Sequence, residues 1–292
     1  MDAPRSRLAA DGTRVFYRLW RPAAPVGALV LLHGVASNST RWWEFVAGTR
    51  LRERWCLVRV DRRGQGESVA RRGAGMAEWC EDIAAILADE GFERGVVAGH
   101  CLGANIAVEF AARYPQRTSG IVLVEPMLRP ALAGVMRTAA RLRPLVQVLA
   151  ATARAANALG LHRRHLPSLD LEVLDREARA AMAAGNTQAL DRYASPLADL
   201  AIMPIASYLQ DLLAVTAPLP ALETIRAPAL VLMSRHSTFT DPAATKRELA
   251  RIPDCSIAEI EAQHWIPTEQ PLAMREAIDA WIARRFMPSS RP

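Results

Sequence analysis

The chain alternates short apolar runs with longer stretches of helical periodicity. Runs such as 27–32 (GALVLL) are apolar throughout, which is typical of strands buried on both faces of a parallel sheet. A turn at Asp11-Gly12, followed by the alternating segment 14–20, predicts an opening β-hairpin. The predicted strands are 14–20, 27–32, 56–60, 95–98, 121–124, 229–233 and 255–260, and the predicted helices are 76–90, 102–114 and 271–285. This order predicts an α/β fold with a mostly parallel central sheet flanked by helices.

The alternation is interrupted after the sixth strand, counting both strands of the hairpin. Residues 127–220 are rich in alanine and leucine, contain scattered prolines and show no convincing strand pattern. We interpret this block as several helices inserted into the α/β unit. The predicted organisation is therefore a core formed by 1–126 and 221–292, with a helical cap (lid) formed by 127–220.

Composition and the cysteine pattern indicate a globular protein with free thiols. The 292 residues are 51% hydrophobic, which is enough to bury a large core. The N-terminal residues lack the apolar centre of a signal peptide, and no run of about 18 apolar residues predicts a membrane helix. We therefore expect a cytoplasmic protein without a membrane partner. The irregular spacing of the cysteines suggests free thiols; they are Cys56, Cys80, Cys101 and Cys255.

The positive charge is concentrated in the predicted cap. The formal net charge is +6, but no zinc-finger spacing or basic segment interleaved with aromatics indicates nucleic-acid binding. Between 127 and 169 there are seven arginines and no acidic residue; they are Arg129, Arg137, Arg141, Arg143, Arg154, Arg163 and Arg164. This excess has two interpretations, a solvated helix face or a docking surface for an anionic acyl carrier such as coenzyme A or an acyl carrier protein.

The segment 96–105 (VVAGHCLGAN) places a thiol at a sharp corner. Gly99-x-Cys101-x-Gly103 lies between a predicted strand and a predicted helix, which is the form of a nucleophile elbow. Such a turn needs small neighbours, and the helix N-terminus favours an anion such as a thiolate. Two alternatives remain: Cys101 is a buried structural cysteine, or it is an engineered replacement for serine.

Three further motifs follow predicted strands. They are His33-Gly34, the segment 61–68 (DRRGQGES), and Gln263-His264-Trp265. With the elbow, and in this order, they resemble the α/β-hydrolase superfamily over nearly the full chain. A cysteine nucleophile is similar to that of dienelactone hydrolases, some polyhydroxyalkanoate enzymes and certain thioesterase domains.

The resemblance implies a catalytic base and an acid. His264 stands at the position of the base. Ser237 occupies the usual position of the acid, so the acid must lie elsewhere. Glu125, directly after a strand, resembles the acid position of haloalkane dehalogenases and is the favoured candidate, with Asp241 as the alternative.

The resemblance also implies an oxyanion hole and a substrate wall. The backbone N–H groups of Val35 and Leu102 are the expected oxyanion donors. His33, Trp42 and Trp265 flank the expected site and are candidate substrate-binding residues. The ring of His33 has the alternative role of bracing the loop, and the tryptophans have the alternative of core packing.

We expect neither a metal nor a cofactor, because the sequence contains no H-E-x-x-H, C-x-x-C or dinucleotide-binding loop. The predicted function is hydrolysis of a small-molecule thioester, ester or lactone through an acyl-cysteine intermediate. Acyl transfer or cyclisation on the same scaffold is the alternative, and a non-catalytic ligand-binding protein is a third possibility.

Overall fold

The computed structural model describes residues 2–70, 73–163, 165–186 and 188–287. Across these residues the strands form one eight-stranded sheet in the order β1-β2-β4-β3-β5-β6-β7-β8. β2 is antiparallel to both of its neighbours, and the other pairs are parallel. The strands are β1 (Asp2–Leu8), β2 (Arg14–Trp20), β3 (Gly27–Leu32), β4 (Trp55–Val60), β5 (Gly95–His100), β6 (Thr118–Val124), β7 (Ala229–Ser234) and β8 (Cys255–Ile260).

Helices cover both faces of the sheet. The helices are α1 (Trp43–Gly48), α2 (Met76–Asp89), α3 (Leu102–Arg113), α4 (Gly134–Arg141), α5 (Arg143–Ala158), α6 (Leu171–Ala183), α7 (Pro196–Ile202), α8 (Ile205–Val215), α9 (Pro242–Leu249), α10 (Ile266–Glu269) and α11 (Pro271–Phe286). On one face α2 and α3 bury side chains such as Ile83 and Ile106 against Val30 of β3. On the other face α1 and α11 pack against Leu31 of the same strand. Successive residues of β3 thus face opposite cores, as its continuous apolar run predicts.

The predicted fold class is confirmed. Each predicted strand is present, and β5 and β6 extend further than predicted because their terminal residues pair through backbone atoms whatever their side chains are. Between β6 and β7 the chain forms α4 to α8 and, within the described part, no strand. We call residues 127–220 the inserted segment. None of the helices in the described ranges is long and apolar enough to cross a membrane.

Candidate active site

Cys101 occupies a strained corner between β5 and α3. Its φ of 54° and ψ of −117° lie in a backbone region that residues other than glycine rarely adopt. A Cβ atom on Gly99 would lie 2.0 Å from the carbonyl carbon of Gly103, and one on Gly103 would lie 2.4 Å from the carbonyl oxygen of Leu32. The Cys101 N–H donates to the carbonyl of Val124 at 2.9 Å and holds the corner against β6. The backbone therefore requires both glycines of the motif.

His264 and Glu125 come together beside this corner. His264, in the loop after β8, has its Nδ1 3.1 Å from Oε2 of Glu125, and both side chains are buried. Because the carboxylate accepts, Nδ1–H donates, which leaves Nε2 for Cys101. Glu125 also accepts hydrogen bonds from the backbone N–H of Ser234 and, at 3.0 Å, from the hydroxyl of Ser237. Ser237, at the position expected for an aspartate, therefore supports the carboxylate supplied by another strand.

The protonation of His264 depends on its two neighbours. Burial alone lowers the pKa of His264, but hydrogen bonds and charge from Cys101 and Glu125 raise it to about 10. At neutral pH the imidazolium form is therefore favoured between a sulfur and a carboxylate. This is the charge state that an activated thiolate requires.

The alternative acid lies elsewhere. Asp241 stands at the N-terminus of α9, where its Oδ1 accepts from the N–H of Ala244 at 2.8 Å. It acts as an N-cap residue. The structure thus brings Glu125, and not Asp241, to His264.

Two backbone N–H groups are available near Cys101. Leu102 is the first residue of α3, so its N–H has no carbonyl partner within the helix. Val35 lines the cavity above Cys101 and precedes Ala36, whose φ is 46°. Among the described residues neither N–H has a hydrogen-bond acceptor. This arrangement suits the binding of a carbonyl oxygen.

His33 does not line the cavity, which corrects its assignment as a substrate-binding residue. Its buried Nδ1–H donates to the carbonyl of Gly34 at 2.9 Å, and its Nε2 accepts from the N–H of Arg62 at 3.2 Å. Burial and the nearby Arg62 charge hold the pKa of His33 well below its usual range. The neutral ring braces the loop that carries Val35.

The two candidate tryptophans have different positions. The assignment of Trp42 to the substrate wall is wrong, because it is fully buried in the core and packs edge-on against Phe45 with ring centroids 5.8 Å apart. Trp265 does line the cavity. It packs edge-on against Phe239, whose ring centroid lies 4.8 Å from that of His264. Sequence reasoning missed Phe239, although it lies two residues after Ser237.

A cavity of about 550 Å³ lies above Cys101. Most of its apolar wall comes from the inserted segment; examples are Val135, Met136, Leu171, Leu174, Leu212 and Val215. Polar groups that were not predicted also lie in this wall, and Asp199 and Tyr208 are two of them. Burial and the nearby Asp211 raise the pKa of Asp199 to about 7, and burial raises the pKa of Tyr208 to about 12. The apolar wall thus suits an acyl group, and among the described residues Asp199 adds a carboxyl group to it.

Sequence comparison finds one family over most of the chain. A family model described as serine aminopeptidase, S33, matches residues 23–270. A monoacylglycerol lipase of Mycolicibacterium smegmatis is 30% identical over 151 residues, which is 47% of this chain and 53% of the lipase. An uncharacterised protein of Mycobacterium tuberculosis is 32% identical over 113 residues, 37% of this chain and 32% of that protein. These alignments therefore span between a third and about half of the relatives' length.

Solved structures resemble the whole fold. A hydrolase from Pseudomonas aeruginosa superposes with a TM-score of 0.70 at 21% identity, covering 96% of this chain and 98% of that one. An enol-lactonase from Burkholderia xenovorans superposes with a TM-score of 0.68 at 19% identity, covering 96% of this chain and all (100%) of the lactonase. At these identities the likeness concerns the fold alone.

Proposed function

Since this chain belongs to the α/β-hydrolase family described as serine aminopeptidase, S33, we propose that it hydrolyses an acyl thioester, an activated ester or a lactone through a covalent intermediate on Cys101. The observation that carries this proposal is the buried hydrogen bond between His264 and Glu125 in the wall of the cavity that Cys101 also lines. The family description names a serine enzyme, whereas this chain has cysteine at the elbow position. The chemistry proposed here is therefore a thiol variant of the family reaction.

The reaction proceeds in two halves. The Cys101 thiolate attacks the acyl carbon, and the carbonyl electrons move to an oxygen bound by the N–H groups of Val35 and Leu102. The tetrahedral intermediate collapses, and the His264 imidazolium gives its proton to the departing thiol or alcohol. Neutral His264 then takes a proton from water, which attacks the acyl-cysteine. Collapse of the second intermediate releases the acid and restores the thiolate and the imidazolium.

The thiol indicates which acyl bond is preferred. Exchange between a thiol and a thioester is nearly thermoneutral, so a thioester acylates Cys101 without a large uphill step. The apolar cavity wall fits a hydrophobic acyl chain. The similar proteins include a monoacylglycerol lipase and an enol-lactonase, and both names describe enzymes that cleave acyl–oxygen bonds. We therefore include activated esters and lactones among the proposed substrates.

Mass spectrometry of the acylated enzyme tests this proposal. The protein is incubated with a panel of acyl thioesters and activated oxyesters, quenched in acid, and measured intact and as peptides. We expect an acyl adduct on Cys101 that forms and then decays to free acid. Cys101→Ala should abolish the adduct. Cys255→Ala is the matched control and should leave it unchanged, because Cys255 lies on β8 with a thiol pKa raised by burial to about 11.

Other outcomes would change the proposed function. An adduct that decays only after an alcohol or amine is added would indicate acyl transfer or cyclisation. An absent adduct together with a Cys101 inert to iodoacetamide would contradict catalysis and leave a ligand-binding protein. Equal activity of Cys101→Ser on thioesters and oxyesters would contradict the thioester preference.

A further inference from the structure

Helix α4 separates the catalytic cavity from a second cleft. Val135, Met136 and Ala139 of this helix line the cavity above Cys101. Arg137 and Arg141, on its other side, line an open cleft of about 470 Å³. A single helix, about 10–12 Å across with its side chains, thus lies between the two spaces.

The cleft carries four positive charges and no compensating carboxylate. Among the residues that the structure describes, its lining includes Arg129, Arg137, Arg141 and Arg143 but no acidic residue. Within the described part of the chain, none of the four forms an ion pair with a carboxylate. Burial and the nearby charge of Arg129 lower the pKa of Arg143. Such a cleft attracts an anion.

Two of these arginines are held in place by neutral groups. Arg137 donates from Nε to the carbonyl of Leu132 at 2.9 Å. Arg143 donates to the hydroxyl of Thr216 at 2.9 Å and to the carbonyl of Leu213. These contacts fix the guanidinium groups without neutralising them. The remaining N–H donors, and those of Arg129 and Arg141, suit the bidentate binding of phosphate oxygens.

We infer that this cleft binds the phosphate groups of a coenzyme A thioester whose acyl group occupies the cavity above Cys101. The inference rests on the proposed function, and it names the carrier of the acyl group. Coenzyme A places its phosphates at one end of a flexible arm and its thioester at the other, and that arm is longer than the width of α4. Arg154 and Arg163 do not line the cleft, and Arg164 lies outside the described residues.

Binding is tested without catalysis. Titration calorimetry measures the affinity of the protein for coenzyme A and for adenosine 3′,5′-bisphosphate at two salt concentrations. We expect the double variant Arg129→Gln/Arg141→Gln to bind at least 10-fold more weakly, and the affinity of the unmodified protein to fall as salt rises. Arg284→Gln, an exposed arginine of α11 far from the cleft in sequence, is the charge-matched control and should bind within twofold of the unmodified protein. Equal affinity of the cleft variant and the control would overturn the inference.

Kinetics separate this inference from the proposed function. The same acyl group is offered as its coenzyme A thioester and as its N-acetylcysteamine thioester, which has no phosphate. The double variant should raise KM at least 10-fold for the first and leave the second unchanged. Turnover of the N-acetylcysteamine thioester with no preference for coenzyme A would overturn the inference and leave the function intact. Coenzyme A binding that depends on the arginines, without any acyl adduct, would support the cleft and contradict the function.

The same experiment also tests two other anionic carriers of the acyl group. An acyl group on an acidic carrier protein, or one in anionic phospholipid vesicles, is offered beside the coenzyme A thioester. A loss of activity in the double variant that is confined to either of these substrates would overturn the inference.

Discussion

At the residue scale, the position of Cys101 depends on two neighbouring residues without a side chain, Gly99 and Gly103. The strand-to-helix corner brings Gly103 against the backbone of β3, where a Cβ would lie 2.4 Å from the carbonyl oxygen of Leu32. That oxygen belongs to β3, which is paired with a strand on each side, so the backbone there cannot shift to relieve the clash. The glycine is therefore required by backbone clearance.

Gly103→Ala tests this requirement. We expect the free energy of unfolding to fall by ~3 kcal/mol or more, because the clash involves backbone atoms, and acylation of Cys101 to be lost with the corner. Gly75→Ala is the control, since a Cβ there meets no atom closer than 3.6 Å. It should cost ~1 kcal/mol or less in denaturant unfolding. Similar losses in both variants would contradict the clearance argument.

Glu125 is expected to set the protonation of His264. Glu125→Gln removes a charge but keeps the shape, so the pKa of His264 should fall from about 10. A titration followed by NMR of the imidazole protons measures this shift. The kcat/KM should fall by ~10²- to 10⁴-fold, in line with removal of the carboxylate from a catalytic triad.

The matched control separates the two candidate acids. Asp241→Asn removes a charge of the same kind from the N-terminus of α9. It should leave both the pKa of His264 and kcat/KM nearly unchanged. A loss of activity in this variant that equals the loss in Glu125→Gln would contradict the assignment of the acid.

The sequence predicted some of these residues and missed others for identifiable reasons. Cys101 and His264 follow strands in recognisable motifs, and strand ends of a parallel sheet meet at one edge. The choice between Glu125 and Asp241 depends on how a loop folds back, which no local pattern records. Trp42 was misplaced because proximity to a motif in sequence does not say which face of the sheet a side chain reaches.

At the element scale, the strands were predictable and the inserted helices were not resolved individually. A buried parallel strand is a continuous apolar run, so its position is recorded in a few neighbouring residues. The inserted helices pack on one another, as α5 does on α8, and on helices of the α/β unit, as α8 does on α3. A local start signal is present at α7, where Pro196 follows the Ser195 N-cap, but a single capping pair does not give the length or the packing partner of a helix.

Asp199 of α7 makes the stability of this segment dependent on pH. Burial and the nearby Asp211 raise the pKa of Asp199 from its ordinary value of 3.8 to about 7. Below about pH 4 the group is protonated in both the folded and unfolded states, so it has no effect. As pH rises from about 4 to 7 the unfolded chain ionises first, so the folded state loses stability.

Asp199→Asn should therefore stabilise the protein at high pH. We expect a gain of ~1–2 kcal/mol at pH 8, discounted for the partial solvent exposure of the group, and no gain at pH 4. Tyr208 faces the same polar region, and Tyr208→Phe serves as a comparison that changes no carboxylate. Denaturant unfolding at the two pH values measures the effect. A gain that is the same at both pH values would contradict the titration of Asp199.

At the scale of the whole molecule, two buried ion pairs connect the inserted segment with the α/β unit. Arg62, after β4, lies 3.0 Å from the carboxylate of Asp211 on α8, which also accepts from Gln65 at 2.7 Å. Arg41 lies 2.9 Å from Asp175 of α6. These partners are 149 and 134 residues apart in the chain. Sequence patterns have no means of pairing them, so the docking of the inserted segment was not predictable.

Asp175 is the carboxylate of the second of these buried ion pairs. Its carboxylate accepts from Arg41, from the hydroxyls of Thr268 and Tyr193 at 2.8 Å each, and from the indole N–H of Trp43 at 3.1 Å. Three of these donors belong to the α/β unit. Asp175→Asn keeps the shape of the side chain but leaves the buried Arg41 without an anionic partner.

Loss of that charge should cost ~3–5 kcal/mol of unfolding free energy, because a buried guanidinium without a partner is unfavourable. The double variant Asp175→Asn/Arg41→Gln should recover part of this loss, since it leaves no unpaired charge. Glu172→Gln removes an exposed partner of Arg176 on the same helix and should cost ~0.5 kcal/mol or less. Denaturant unfolding gives the energies, and hydrogen exchange over 127–220 shows whether this segment loosens first. If Asp175→Asn and Glu172→Gln have equal effects, the buried pair does not hold the inserted segment in place.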